Sequence, residues 1–237
     1  MPAYKQEKTI QEDLLIIEKV LKEGLKGVNF EIICVVDGIV DRTLKEAQKI
    51  KSRKIIILSY PENRGKGFAV RFGMQKAKGE LISFLDAGRD ISPKGIMMLM
   101  AHMQWYNADV IVGSKRHPVS QVNYPLIRRI LSIGYHLGVK FLFNLPITDT
   151  QSGIKIFKRR VIKKILPRLY VDSYAMDIEF LAVARRFGFK RIYEAPIEVR
   201  FSKKTSRVRW HTSLQMAWDS FIIFYKLRIL RYYDRRS

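Results

Sequence analysis

Leu81-Ile82-Ser83-Phe84-Leu85-Asp86-Ala87-Gly88-Arg89-Asp90 is an apolar run that stops abruptly at two acids. The run has the length and content of a buried strand. Open α/β sheets bind their ligands at the carboxyl ends of such strands. Asp86 and Asp90 are hard oxygen donors, suited to a divalent cation that carries phosphates. A structural reading competes. In it Asp86 caps a turn, and Asp90 caps the helix that follows Ser92-Pro93.

Working outward from this stretch, the first half of the chain alternates helical and extended patterns. Ile10 to Leu25 carries Leu14, Ile17, Val20 and Leu21 on one helical face. Phe30 to Val36, Lys54 to Ser59 and Asp109 to Gly113 read as strands. Arg42 to Lys51, Gly67 to Ala77 and Pro93 to Trp105 read as the helices between them. Such alternation predicts βαβ units and a largely parallel sheet. In the second half, Arg128 to Leu142, Arg159 to Leu166 and Asp177 to Phe187 are helical patterns. Ser152 to Phe157 and Arg191 to Val199 read as strands, the latter an edge because it contains Pro196. Ser213 to Tyr233 is a long helical pattern that mixes Trp, Phe and Tyr with Arg.

Composition bounds the rest. With 237 residues, 47% of them hydrophobic, the chain can build one good core. A single cysteine, Cys34, gives no disulfide framework and favours a reducing compartment. The formal net charge of +22 predicts anionic partners, among them nucleic acid, anionic lipid and phosphorylated substrates. No recognisable nucleic-acid-binding motif accompanies the charge, so nucleic acid is not the expected partner. No signal-peptide pattern opens the chain, and no apolar run is long enough for a transmembrane helix.

Six segments together resemble family 2 glycosyltransferases. Pro2-Ala3-Tyr4-Lys5-Gln6-Glu7 resembles the family's opening Pro-Ala-Tyr-Asn-Glu-Glu, and Val36-Asp37-Gly38 to Thr43 resembles its Asp-Gly-Ser-Thr-Asp-Gly-Thr loop. Asn63-Arg64-Gly65-Lys66-Gly67 resembles the Asn-x-Gly-Lys-Gly turn, and Asp86-Ala87-Gly88 stands where Asp-x-Asp stands. Val112-Gly113-Ser114-Lys115 resembles Gly-Ser-Arg. Asp149 to Phe157 resembles the Asp-x-Gln-Cys-Gly-Phe-Lys-x-Phe segment of the dolichyl-phosphate mannose and glucose synthases. The six follow the family's order over residues 1–208.

The resemblance implies a GT-A-type nucleotide-diphospho-sugar transferase fold, α/β, with a mostly parallel Rossmann-like sheet. It implies an inverting transfer of a hexose, from a GDP-mannose or UDP-glucose type donor, to a polyprenyl or dolichyl phosphate. Transfer to another glycan or lipid-linked acceptor, or a non-catalytic scaffold, is the alternative. Pro2, Ala3, Tyr4 and Glu7 would border the nucleotide. Asp37 would accept a ribose or base hydrogen bond, with a turn-forming role as its rival. Lys66 would face the diphosphate, unless its glycine neighbours only shape a turn. Asp86 and Asp90 would hold Mg²⁺ or Mn²⁺, which neutralises the departing diphosphate. Lys115, Arg128, Ser132 and Arg200 would hold the acceptor phosphate, with a solvated basic face as the rival reading. Asp177 and Glu179 fall in a segment that resembles one the family keeps near the acceptor, with acids at a helix N-terminus as the competing account. A phosphate nucleophile is already anionic near neutral pH and needs little or no base. None of the four His residues lies in a catalytic motif.

Two departures stand out. The family's second Asp is Gly88 here, and Asp90 falls where the mannosyl synthases have a metal-contacting Gln. The family also places an apolar strand before Pro-Ala-Tyr, whereas only Met1 precedes Pro2. The first strand is therefore expected to be missing, and the true start to lie upstream. Residues 200–237 hold ten Lys/Arg against two Asp, interleaved with aromatics. That pattern predicts a transferase domain over 1–208 and an amphipathic helix over 209–237. The helix is expected to lie on an anionic membrane surface, at its cytoplasmic face, with docking on the protein's own core as the rival that can hold in part beside it.

Overall fold

The computed structural model describes residues 1–88, 90–120, 138–199 and 210–235, with backbone alone at 210–214. Two sheets form the central layer. In the first, β1 (Pro2–Ala3), β2 (Ile32–Asp37) and β3 (Ile55–Tyr60) run parallel in the order β1-β2-β3. In the second, β4 (Leu81–Leu85), β5 (Val110–Ser114), β6 (Ile154–Lys158) and β7 (Ile192–Pro196) take the order β4-β6-β5-β7. β6 runs antiparallel to both its neighbours, so the second sheet is mixed rather than parallel. β7 is the edge, and Pro196 closes it opposite Ser114.

Helices α1 (Ile10–Gly24), α2 (Thr43–Gln48), α3 (Lys66–Lys76) and α4 (Gly95–Trp105) separate the first five strands. The described part of α5 spans 138–143. Then come α6 (Arg159–Ile165), α7 (Met176–Arg186), α8 (Trp210–Arg228) and α9 (Tyr232–Arg235). The expected single C-terminal helix is thus two, broken where Arg231 takes φ +48°.

Apolar periodicity decides which face each helix buries. Ile10, Leu14, Ile17 and Leu21 of α1 pack with Ile96, Leu99 and Met103 of α4, against Cys34 and Val36 of β2 and Ile154 and Ile156 of β6. This one cluster draws on both sheets and joins them into a single layer. On the opposite face, Val70 and Met74 of α3 meet Ile82 and Phe84 of β4, together with α6, α7, Ile223, Leu227 and Tyr233. Cys34 is fully buried, and burial pushes its thiol up to about 11. It behaves as a small hydrophobe.

The expected missing strand is present as the two residues of β1. The Met1 amine donates to the Ile33 carbonyl at 2.7 Å, and the Val35 N–H donates to the Met1 carbonyl at 2.9 Å. Beside it, an apolar slot of about 510 Å³ separates the two sheets, with Leu21, Phe30, Ile33, Leu81 and Met100 in its walls. Among the described residues β4 pairs on one side only, with β6.

Candidate active site

The carboxyl ends of β1, β2 and β4 converge on one rim. Beyond β1, Tyr4 is exposed and Lys5 lies over its ring at φ +53°. The Gln6 N–H donates to Thr43 Oγ1 at 2.8 Å, and the Arg42 N–H donates to Glu7 Oε2 at 3.2 Å. Gln6 and Glu7 thereby sit against the start of α2, while Pro2 and Ala3 pair with Val35 and Val36 of β2. Ala3 is buried.

Asp37 ends β2 and is almost fully buried. Its Oδ1 accepts from Tyr60 Oη and the Arg64 N–H, both at 2.8 Å. Its Oδ2 accepts from Asn63 Nδ2 at 2.9 Å and the Gly65 N–H at 3.0 Å. A carboxylate has about four acceptor sites, and the loop fills them. These bonds tie Asp37 to the end of β3 and to the turn at residues 63–65, the turn-holding role that the sequence set beside nucleotide contact. Asn63 was read only as the start of the Asn-x-Gly-Lys-Gly turn and Tyr60 went unnoticed, because their partner lies more than twenty positions away.

The glycines of the next loop are dictated by close approach. Gly65 sits at φ +95°, and a Cβ there would lie 2.5 Å from the Asp172 carbonyl. A Cβ on Gly67 would meet the Val171 carbonyl at 2.2 Å, and the Gly67 N–H donates to the Asp172 carbonyl at 2.8 Å. This packing fixes the start of α3 and aims Lys66 inward. Lys66 Nζ donates to Asp86 Oδ2 at 2.8 Å and stands 3.8 Å from Asp177 Oδ2. Burial alone would lower the Lys66 pKa, but Asp86 and Asp177 outweigh it and hold it above the ordinary lysine value.

Asp86 follows β4 directly. Its N–H donates to the Gly153 carbonyl at 2.9 Å. Gly153 must be glycine, since a Cβ there would stand 2.3 Å from Asp86 Oδ2. Asp86 Oδ1 is buried and, among the described residues, has no hydrogen-bond partner. Gly88, in place of the expected second Asp, sits at φ +98°, where non-glycine residues are strained. Its N–H donates to Asp13 Oδ2 at 3.3 Å. The departure from Asp-x-Asp therefore has a backbone reason.

Asp90 is half-buried, close to the bridge between Ile91 and Val199. Among the described residues no group of three or more His, Cys, Asp or Glu is placed to hold a metal. A cation here would take the orphaned Asp86 oxygen, and its remaining ligands would come largely from a bound diphosphate. That donor set fits a hard divalent ion which arrives with a phosphate ligand.

Lys115 is half-buried just beyond β5, and its N–H donates to Asp149 Oδ2 at 2.9 Å. Glu194 in turn accepts from the N–H groups of Thr148 and Asp149 at 2.8 and 2.7 Å. The Asp149 to Phe157 segment is thus a scaffold that runs from Lys115 to Asp86. Arg128, Ser132 and Arg200 lie outside the described residues. His102 is buried on α4, where its Nδ1 faces the Met98 carbonyl at 3.0 Å beside Trp105 and Tyr106.

Lys155 was read only as part of the Asp149 to Phe157 segment and given no role there. It is fully buried on β6, where its Nζ pairs with Asp177 Oδ1 and donates to the Ser152 carbonyl at 2.8 Å. Its signal in the sequence is a lone cation inside the strand Ile154-Lys155-Ile156-Phe157.

The C-terminal helices dock on α7. Ser220, Ile223 and Leu227 are buried, Tyr233 Oη donates to Glu179 Oε1 at 2.9 Å, and Arg186 Nε donates to Asp234 Oδ1 at 3.0 Å. The other face of α8 leaves Trp218, Phe221 and Tyr225 exposed, and Ile229 just beyond the helix is exposed as well. Among the described residues no helix is long and apolar enough to cross a membrane.

A family model for "Glycosyl transferase family 2" matches residues 1–166. A dolichyl-phosphate beta-glucosyltransferase of Homo sapiens is 33% identical over 97% of this chain and 74% of its own length. The corresponding Drosophila melanogaster protein is 30% identical over 94% and 73%. Among solved structures, glucosyl-3-phosphoglycerate synthase from Mycobacterium tuberculosis, in complex with Mn²⁺, UDP-glucose and phosphoglyceric acid, superposes with a TM-score of 0.68. It covers 95% of this chain and 76% of that one, at 17% identity, a likeness of fold.

Proposed function

Because this chain belongs to glycosyl transferase family 2 and is a glycosyltransferase, we propose that it moves glucose from UDP-glucose, with inversion, onto dolichyl phosphate. The observation that carries this reading is the Asp86 carboxylate at the end of β4, with one oxygen orphaned and the other on Lys66. Of the two donor types that the sequence left open, the relatives favour glucose over mannose.

A divalent ion, Mg²⁺ or Mn²⁺, would be held by Asp86, with Asp90 as the second candidate ligand. It would supply positive charge to the departing diphosphate. Lys66 adds a fixed cation at the same place, already oriented by two carboxylates. The Pro2 to Glu7 segment borders the nucleotide. Lys115, Arg128, Ser132 and Arg200 hold the acceptor phosphate, whose own charge makes it the nucleophile. No Ser, Cys or His nucleophile is required.

The exposed aromatic face of α8, with the exposed Arg228 and Arg231 near its end, suits an anionic membrane interface. This supports the reading of a peripheral enzyme on the cytoplasmic face of a membrane. The rival acceptors, another glycan or lipid-linked sugar, lack a comparable supporting relative among those described above.

The test offers radiolabelled UDP-glucose and GDP-mannose separately, with dolichyl phosphate and Mg²⁺ or Mn²⁺. Lipid-extractable label from UDP-glucose is expected. Label from GDP-mannose alone overturns the donor, and label from neither overturns the transfer.

A further inference from the structure

Behind the Lys66–Asp86 contact lies a line of alternating charge. Lys155 Nζ pairs with Asp177 Oδ1, Asp177 Oδ2 lies 3.8 Å from Lys66 Nζ, and Lys66 Nζ lies 2.8 Å from Asp86 Oδ2. The four groups come from β6, α7, α3 and the end of β4. Only Asp86 is substantially exposed, at 39% of its side chain, whereas Lys155 and Asp177 are at 0% and 3%.

A fully buried ammonium on a core strand costs folding free energy unless it is paired. Lys155 sits 5.0 Å from the Phe84 ring centroid, on the face of β6 that also carries Phe157 into the core. Burial lowers its pKa, and Asp177 opposes that shift. A methionine would fill such a place without the penalty. The charge therefore serves something other than packing.

Asp177 is the key. It is a buried carboxylate with two cations in reach, one in contact and one 3.8 Å away. Lys66 likewise has two carboxylates in reach, with Asp86 nearer by 1.0 Å. Without Lys155, Asp177 would be a buried anion whose nearest remaining cation is Lys66. A shift of about one ångström would then satisfy Asp177 and withdraw Lys66 from Asp86.

We propose that Lys155 is a positioning residue. It neutralises Asp177 from below, so that Lys66 stays forward on Asp86 and toward the donor's diphosphate. The inference rests on the sugar-nucleotide reading of this rim, and it concerns which carboxylate Lys66 serves.

The experiment measures UDP-glucose binding by calorimetry, alongside thermal melting. Lys155→Met is expected to weaken binding about tenfold, the loss of one charge-assisted contact. Lys155→Met/Asp177→Asn removes the competing carboxylate too and is expected to return affinity to near the wild-type value. A purely structural role for Lys155 predicts the opposite, a double variant as weak as the single or weaker. In a Lys66→Met background, Lys155→Met is expected to change affinity no further.

Wild-type affinity in a folded Lys155→Met, or no recovery in the double variant, overturns the proposal. If Lys155→Met does not fold, the charge-balanced double variant still decides, because weak binding by it contradicts the account. If the wild type binds another nucleotide sugar instead, the donor reading fails. The same variants are then compared on that donor, which keeps the two failures distinct.

Discussion

Lys66 Nζ donates to Asp86 Oδ2 at 2.8 Å, which joins the first residue of α3 to the first residue beyond β4. Each partner is held from behind. Glycines at 65 and 67 let the α3 start approach residues 171–172, and Gly153 lets the Asp86 carboxylate lie against β6. One oxygen of the pair's carboxylate stays open while its neighbour carries a cation. That arrangement suits a ligand with several negative charges that brings its own metal.

Gly153→Ala is expected to damage function more than stability. The new methyl would stand 2.3 Å from Asp86 Oδ2, and the carboxylate is the part free to move. Displacing it by about an ångström predicts a loss in kcat/KM of roughly ten- to a hundredfold. Steady-state kinetics and a thermal melt check this together. A fall in Tm with kinetics unchanged would contradict it.

Restoring the family's acid with Gly88→Asp is expected not to improve metal-dependent turnover. Residue 88 sits at φ +98°, so the substitution strains the backbone by roughly 1–3 kcal/mol. Denaturant unfolding reads the destabilisation. Assays across a Mn²⁺ titration read the metal dependence.

These glycines mark where the sequence was legible and where it was not. Leu81 to Leu85 was readable to the residue, because a short apolar run with a sharp polar end has few other structures open to it. Antiparallel β6 was not, since strand direction leaves no trace in an apolar pattern and depends on the long connection before it. Asp37 was legible as an acid at a strand end, but its four donors come from the end of β3 and the loop after it. The break near Arg231 was hidden because the apolar and aromatic spacing continues through it. Lys155 was visible as an anomaly, yet its partner on α7 was not.

Trp218, Phe221 and Ile229 are expected to carry vesicle binding. Replacing all three with Ala removes exposed apolar surface and leaves Ile223 and Leu227 docked. Partition onto phosphatidylserine-containing vesicles should fall by at least about tenfold, with Tm unchanged. Equal binding by the variant would place the membrane contact elsewhere.

Acid is expected to loosen α9 from α7. Hydrogen bonding from Arg186 holds the Asp234 carboxyl below its ordinary value of 3.8. A carboxyl lowered in the folded state stabilises fully above its unfolded value and loses that contribution as pH falls through the folded one. Asp234→Asn should therefore melt earlier than wild type at about pH 6, and the two should converge in strong acid. A gap that persists unchanged at low pH would refute the assignment.

The most direct test of Asp86 as the pivot of the sugar-nucleotide site is anomalous diffraction from crystals grown with UDP-glucose and Mn²⁺. The account predicts a manganese peak in contact with an Asp86 carboxylate oxygen and with the diphosphate, and Lys66 on the same phosphates. A nucleotide bound with its metal away from Asp86 would contradict it.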